Sequence, residues 1–155
     1  MQTLVERFGP GHRICPKTGY HAWYLRPGGV LGELGFEKNV TADTARFARD
    51  ILHPEMVARG GDGPYTIAMN WGSMTGYETE ARDILVRLGR ENKSVYSNTT
   101  VCIPNVSILA RIGIKSAAAV LTVSGVRINV VESMDELLEA VPLVLDEGLA
   151  ELTSG

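Results

Sequence analysis

Two cysteines, Cys15 and Cys102, are all that the 155 residues contain. They are too few and too far apart for a disulfide framework or a cysteine-rich metal site, so two reduced thiols in a reducing compartment are expected. A basic excess is missing too. The formal net charge is -3, which argues against non-specific binding to nucleic acid or to anionic membranes. Residues Met1 to Phe8 lack the charged-then-apolar pattern of a secretion signal, and no apolar run approaches the length of a membrane span. A cytoplasmic protein with no membrane span is therefore expected. Paired carboxylates, a metal-ligand set and a nucleophile motif at diagnostic spacing are absent as well, so nothing points to an enzyme, a metal or a cofactor.

What is present is ordinary globular composition, 45% apolar and 21% charged. A chain of this length makes one domain and can bury roughly 70% of the surface its unfolded form exposes. Its most informative stretch runs from Tyr65 to Leu85. Gly63 and Pro64 open a strand from Tyr65 to Trp71 with Ile67 and Met69 on one face. A helix follows, signalled by Tyr77, Ala81, Ile84, Leu85 and Leu88, with Glu78 and Arg82, and Asp83 and Arg87, at salt-bridge spacing. The loop from Gly72 to Gly76 then lies at the carboxyl end of a strand and the amino end of a helix, where free N–H groups favour an anion or a docked partner. The plainer reading is that Ser73, Thr75 and the two glycines only make the turn and cap the helix.

Elsewhere the pattern predicts a short strand near Thr3 to Phe8 and a loop rich in turn formers, a 20-residue extension before a single α/β domain at 21–155. His21 to Arg26 and Val30 to Phe36 read as a hairpin joined by Pro27, Gly28 and Gly29, with Gly32 and Gly35 hinting at a bulge or close backbone approach. Thr41 caps a helix that ends near His53 at Pro54. A strand is expected near Ser94 to Ile103, and Asn105 caps a short helix ending at Gly113. Ser116 begins another helical turn or two, and Val126 to Val131 is a strand. Ser133 and Glu136 form a capping box for a last helix through Leu137, Val141 and Leu145, kinked or split by Pro142. Strands first and then alternating helix and strand indicate a mixed sheet with helices packed on it.

Two local sequences carry a family resemblance. Asn70, Trp71 and Gly72, then Met74, then Tyr77 to Arg82 stand where the STAS domain of anti-sigma-factor antagonists and sulfate transporters has Asp-Leu-Ser, an apolar spacer and Asp-Ser-Ser-Gly-Leu. Val101 to Val106, leading to Leu109, Arg111 and Gly113, is similar to that family's next strand, its Asn-Pro-like turn and its short helix. With the element order from Thr41 to about Ala140, the chain resembles a STAS domain over two thirds of its length. The residues before 20 and the segment from Lys115 to Gly125 point to a divergent branch, among small STAS-like or SEC14-like bacterial proteins. The resemblance implies a regulatory module that binds a protein partner, a kinase or anti-sigma-type regulator. It places the family's phosphorylated serine on Thr79. Glu78 and Glu80 flank that hydroxyl, and like-charge repulsion disfavours a phosphate there.

The other constellations are weaker. Cys102 lies in an apolar strand, where a buried inert thiol is the commoner outcome. His12, Cys15 and His21 lack a fourth metal ligand and read as solvated loop residues. Gly28 to Gly35 has neither a Walker lysine nor a dinucleotide fingerprint. Trp71 could stack on a ligand, anchor a partner or simply cap the sheet, and Tyr77 reads as core. The expected function is a non-enzymatic partner-binding module using Trp71, Gly72, Ser73, Thr75, Gly76, Glu78 and Thr79. The alternative is a carrier of a small apolar ligand, lipid or nucleotide, in a cleft between sheet and helices.

Overall fold

The computed structural model describes residues 2–60, 63–96, 98–103, 107–141 and 145–146. Its centre is a six-stranded mixed sheet built from β1 (Arg13–Ile14), β2 (His21–Tyr24), β3 (Gly29–Glu33), β5 (Thr66–Asn70), β7 (Asn98–Cys102) and β8 (Ile128–Val131), in the order β1-β2-β3-β5-β7-β8. The first three strands are antiparallel, and β3, β5, β7 and β8 run parallel. Two further short strands, β4 (Asn39–Val40) and β6 (Gly76–Tyr77), pair in parallel outside that sheet. The α/β class expected from the alternating pattern is what forms.

Because strand side chains alternate, the sheet has two buried faces. Val30, Ile67 and Val101 point to the larger core, where Met69, Ile84, Leu85, Ile128 and Val130 pack on them. That face is covered by α2 (Ala42–Phe47), a π-helical turn (Ala48–Leu52), α3 (His53–Gly60), α4 (Thr79–Glu91) and α5 (Ile108–Val123). Leu31, Ala68 and Cys102 point the other way, against α1 (Leu4–Phe8) and α6 (Met134–Ala140).

β1, β4 and β6 are additional to the expected pattern, and four further differences have a clear local reason. Residues 4–8 are a helix and not a strand: the Thr3 hydroxyl accepts from the Glu6 N–H at 3.0 Å and the Glu6 carboxylate accepts from the Thr3 N–H at 3.1 Å, a capping box within the first residues. The helix capped by Thr41 does not stop at Pro54. A π-helical turn shifts the hydrogen-bond ladder ahead of it, and Pro54 takes the second position of the renewed α-helix, where its missing N–H is least felt. Gly113 does not end a helix. It sits inside one continuous 16-residue helix capped by Ser107, while Asn105 lies outside the described residues. The last helix ends at Ala140; Val141 takes extended backbone, as the residue before a proline is pressed to do, and Leu145 bridges Leu25. Pro142 itself lies outside the described residues.

Residues 2–20 pack onto the domain. β1 joins the sheet, and Leu4 is completely buried against the smaller core. The expected close backbone approach is present at Gly35, where a Cβ would stand 1.9 Å from the Gly19 carbonyl oxygen; at Gly32 a side chain takes the space instead, the Tyr20 hydroxyl 2.0 Å from the Cβ position.

Candidate functional site

The loop after β5 is a closed turn. Gly72 N–H donates to the Asn70 side-chain oxygen at 3.1 Å, Met74 N–H to the Trp71 carbonyl at 3.0 Å and Thr75 N–H to the Lys38 carbonyl at 2.9 Å. Met74 is buried beneath it. Gly76 and Tyr77 pair with β4 and do not begin the helix, which is why α4 starts two residues later than the apolar period suggests. Glu78 occupies the cap position of α4 without a capping bond of its own side chain. Its carboxylate instead accepts from the Ala42 N–H at 3.2 Å, so it caps α2, while Arg82 leans toward Asp83 at 4.0 Å. Ser73, Thr75, Glu78 and Thr79 are exposed, Gly72 and Gly76 half-buried, and Trp71 turns inward. The loop N–H groups at Gly72, Met74 and Thr75 are thus used within the fold, and four polar side chains remain on the surface.

The inward side of the same region is a cavity of about 160 Å³ between the sheet and the helices. Its floor is Val30, Ile67, Met69 and Val101, and its walls are Leu85, Val86 and Gly89 of α4 and Gly113, Ile114, Ala117, Ala118 and Leu121 of α5. Trp71 and Tyr77 line one end, and Leu52, His53 and Met56 the other. The space exists because small residues face each other across the helices. A Cβ on Gly89 would stand 2.9 Å from Leu121 Cδ2, where α4 touches α5, and one on Gly113 2.1 Å from the Tyr77 hydroxyl, where β6 touches α5, and the alanines leave room between.

Polar groups on the lining are few. Trp71 Nε1–H is buried beside the Tyr20 hydroxyl yet makes no hydrogen bond of good geometry. His53 Nδ1 and the Tyr96 hydroxyl lie 2.8 Å apart with their rings stacked, and both belong to the wall. Burial holds His53 below its ordinary value and pushes Tyr96 above its own, so both are neutral near pH 7. Arg82 is the one charged side chain of the lining; it is 44% exposed and lies 4.0 Å from the Asp83 carboxylate, and half-buried Val86, Ala117 and Leu121 also line the α4–α5 side.

The carboxyl ends of the parallel strands, where ligands often bind in α/β sheets, are already occupied. His21, Glu33, Asn70 and Cys102 stand side by side across four strands. The buried Glu33 carboxylate accepts from Leu4 N–H at 2.7 Å, Val5 N–H at 3.1 Å and Asn70 Nδ2 at 2.7 Å, fixing α1 over this row. Cys102 is fully buried, and burial, with the Glu136 charge behind it, pushes its thiol up to about 11, which keeps it protonated near pH 7.

His12 and Cys15 are buried and His21 half-buried, in contrast to the solvated loop expected. His12 Nδ1 accepts from Tyr24 N–H and His21 Nδ1 from Gly11 N–H, each at 3.0 Å. Among the described residues no group of three or more His, Cys, Asp or Glu is placed to hold a metal ion, and no helix is long and apolar enough to cross a membrane.

Comparison with known proteins finds no family whose profile matches the chain and no curated sequence related to it.

Proposed function

We propose that this protein binds a compact apolar molecule in the cavity between its sheet and helices α4 and α5. The supporting observation is the cavity itself: about 160 Å³, walled by aliphatic and aromatic side chains, with one exposed cation on its lining. An apolar cavity of about 150 Å³ stays dry and takes up benzene, so the space suits one ring or a short branched chain. A long lipid exceeds it. A nucleotide would bring several phosphate charges to a lining with Arg82 as its only fixed charge. Of the two ligand classes considered from sequence, a small apolar body is the better match, and Arg82, already 4.0 Å from Asp83, suits at most a single anionic group.

Native mass spectrometry of protein purified from its own cells tests the reading. A retained small molecule that leaves when organic solvent is added supports it. The partner-module reading draws on exposed Ser73, Thr75 and Thr79, and it gains if a protein chain is retained instead.

A further inference from the structure

Helix α5 turns an unusual face to solvent. Ile108 is 78% exposed, Leu109 80%, Ile112 57%, Val120 48% and Val123 90%. Their spacing places them on one stripe, opposite Ala110, Ile114 and Leu121, which face the core and the cavity. Five bare aliphatic side chains on one helix are the kind of exposed apolar surface that marks an interaction site.

The charge around this stripe is segregated in a way the net charge hides. Residues 92–131 contain Lys93, Arg111, Lys115 and Arg127 and no aspartate or glutamate, so all 18 acids lie elsewhere in the chain. Arg111 is tied to Glu132. Lys93, Lys115 and Arg127 are exposed, and Lys93 packs near Gly125 just past the end of α5. A second copy of the chain meeting this face would set cations against cations. The complementary occupant is apolar and negatively charged.

We infer that α5 docks on an anionic lipid surface, with Ile108, Leu109, Ile112, Val120 and Val123 entering the boundary between headgroups and acyl chains and the lysines resting among the headgroups. At 16 residues α5 is too short to cross a bilayer, and its charged side chains, Arg111 and Lys115, are both basic, so the exposed stripe suits the boundary rather than a span. The same helix walls the cavity, and an apolar ligand partitions into a bilayer. This last step rests on the ligand reading given above; the stripe and its charges do not.

Flotation of the full chain with phosphatidylcholine vesicles, with and without phosphatidylserine, tests the inference. Binding is expected to the anionic vesicles and not to the neutral ones, each exposed lysine contributing roughly fivefold in affinity. Raising salt from about 0.1 M to about 1 M shortens the screening length from about 10 Å to about 3 Å and should weaken binding at least tenfold. Leu109→Ser with Val123→Ser should abolish it while the melting curve stays in place, because both side chains are already in water. No flotation with anionic vesicles by folded protein overturns the inference. So does self-association, or capture of an acidic peptide, that the same pair of substitutions removes without any vesicle binding. Plugging the cavity with Ala117→Leu separates the two readings: vesicle binding should survive it and ligand uptake should not.

Discussion

The Tyr77 hydroxyl fills the place where a side chain on Gly113 would begin, 2.1 Å from the position of its Cβ. That contact joins the short strand β6 to helix α5 at one end of the cavity. Gly113→Ala should therefore displace the Tyr77 ring and cost about 1 to 3 kcal/mol, as overpacking does. Urea unfolding measures it. An unchanged midpoint would mean that the ring moves aside freely and that the glycine does not set the helix spacing.

Gly113 also illustrates what the sequence could and could not reveal. Strand β5 is legible as a short apolar run after Gly63 and Pro64, and helix α4 from the period of Ala81 and Leu88, because burial writes itself into the residues. Glycine and proline mislead where tertiary contacts overrule them. Gly113 reads as a helix end, but a ring needs the space; Pro54 reads as a stop, but a π-helical turn precedes it. The capping box at Thr3 and Glu6 is a local signal that was there to be read. The cavity was not, since it depends on distances between elements far apart in the chain, and its marks, Gly89, Ala117 and Ala118, are small residues that fit a turn or a plain helix equally well.

Glu33 anchors the first helix. Its carboxylate receives three N–H groups, two of them the backbone of Leu4 and Val5. Glu33→Gln keeps the shape but turns an NH2 group toward those donors, leaving at least one unsatisfied at about 1 to 3 kcal/mol. Hydrogen exchange should show lost protection at residues 4–8 before any other part of the chain. Protection equal to that of the parent would show that α1 is held by Leu4 packing alone.

Acid should loosen the protein through its histidines. Burial lowers His12, His21 and His53 below the ordinary 6.5 in the folded state. The unfolded chain then binds more protons, so the stability these groups contribute is complete above about pH 6.5 and is lost as pH falls through that value toward the depressed folded ones. Nδ1 of His12 and of His21 accepts a backbone N–H, and a proton there would face another donor. Denaturant midpoints should fall from about pH 7.5 to about pH 5.5, and less so in His12→Asn. A midpoint that rises over the interval would contradict the assignment.

The surface loop gives a contrast between the two functional readings. Ser73→Ala with Thr75→Ala changes exposed side chains and should move stability by no more than about 0.5 kcal/mol each, with ligand uptake unaltered. Thr79→Glu adds a charge beside Glu78 and Glu80 with the same result. If the loop is instead a partner surface, calorimetry against the chain that co-purifies will show weaker binding for all three substitutions, while Ala117→Leu leaves that affinity alone.

The most direct test is a thermal-shift titration of the purified protein with a small apolar compound such as toluene, run beside Ala117→Leu, which fills the cavity from its α5 wall. At a free concentration about 100 times the dissociation constant, binding adds about 2.7 kcal/mol, enough to raise the melting temperature by about 5 to 10 °C. The parent protein should show that rise and the variant should not. A parent whose melting temperature does not respond, or a variant that responds equally, would contradict the proposal that the cavity is the binding site.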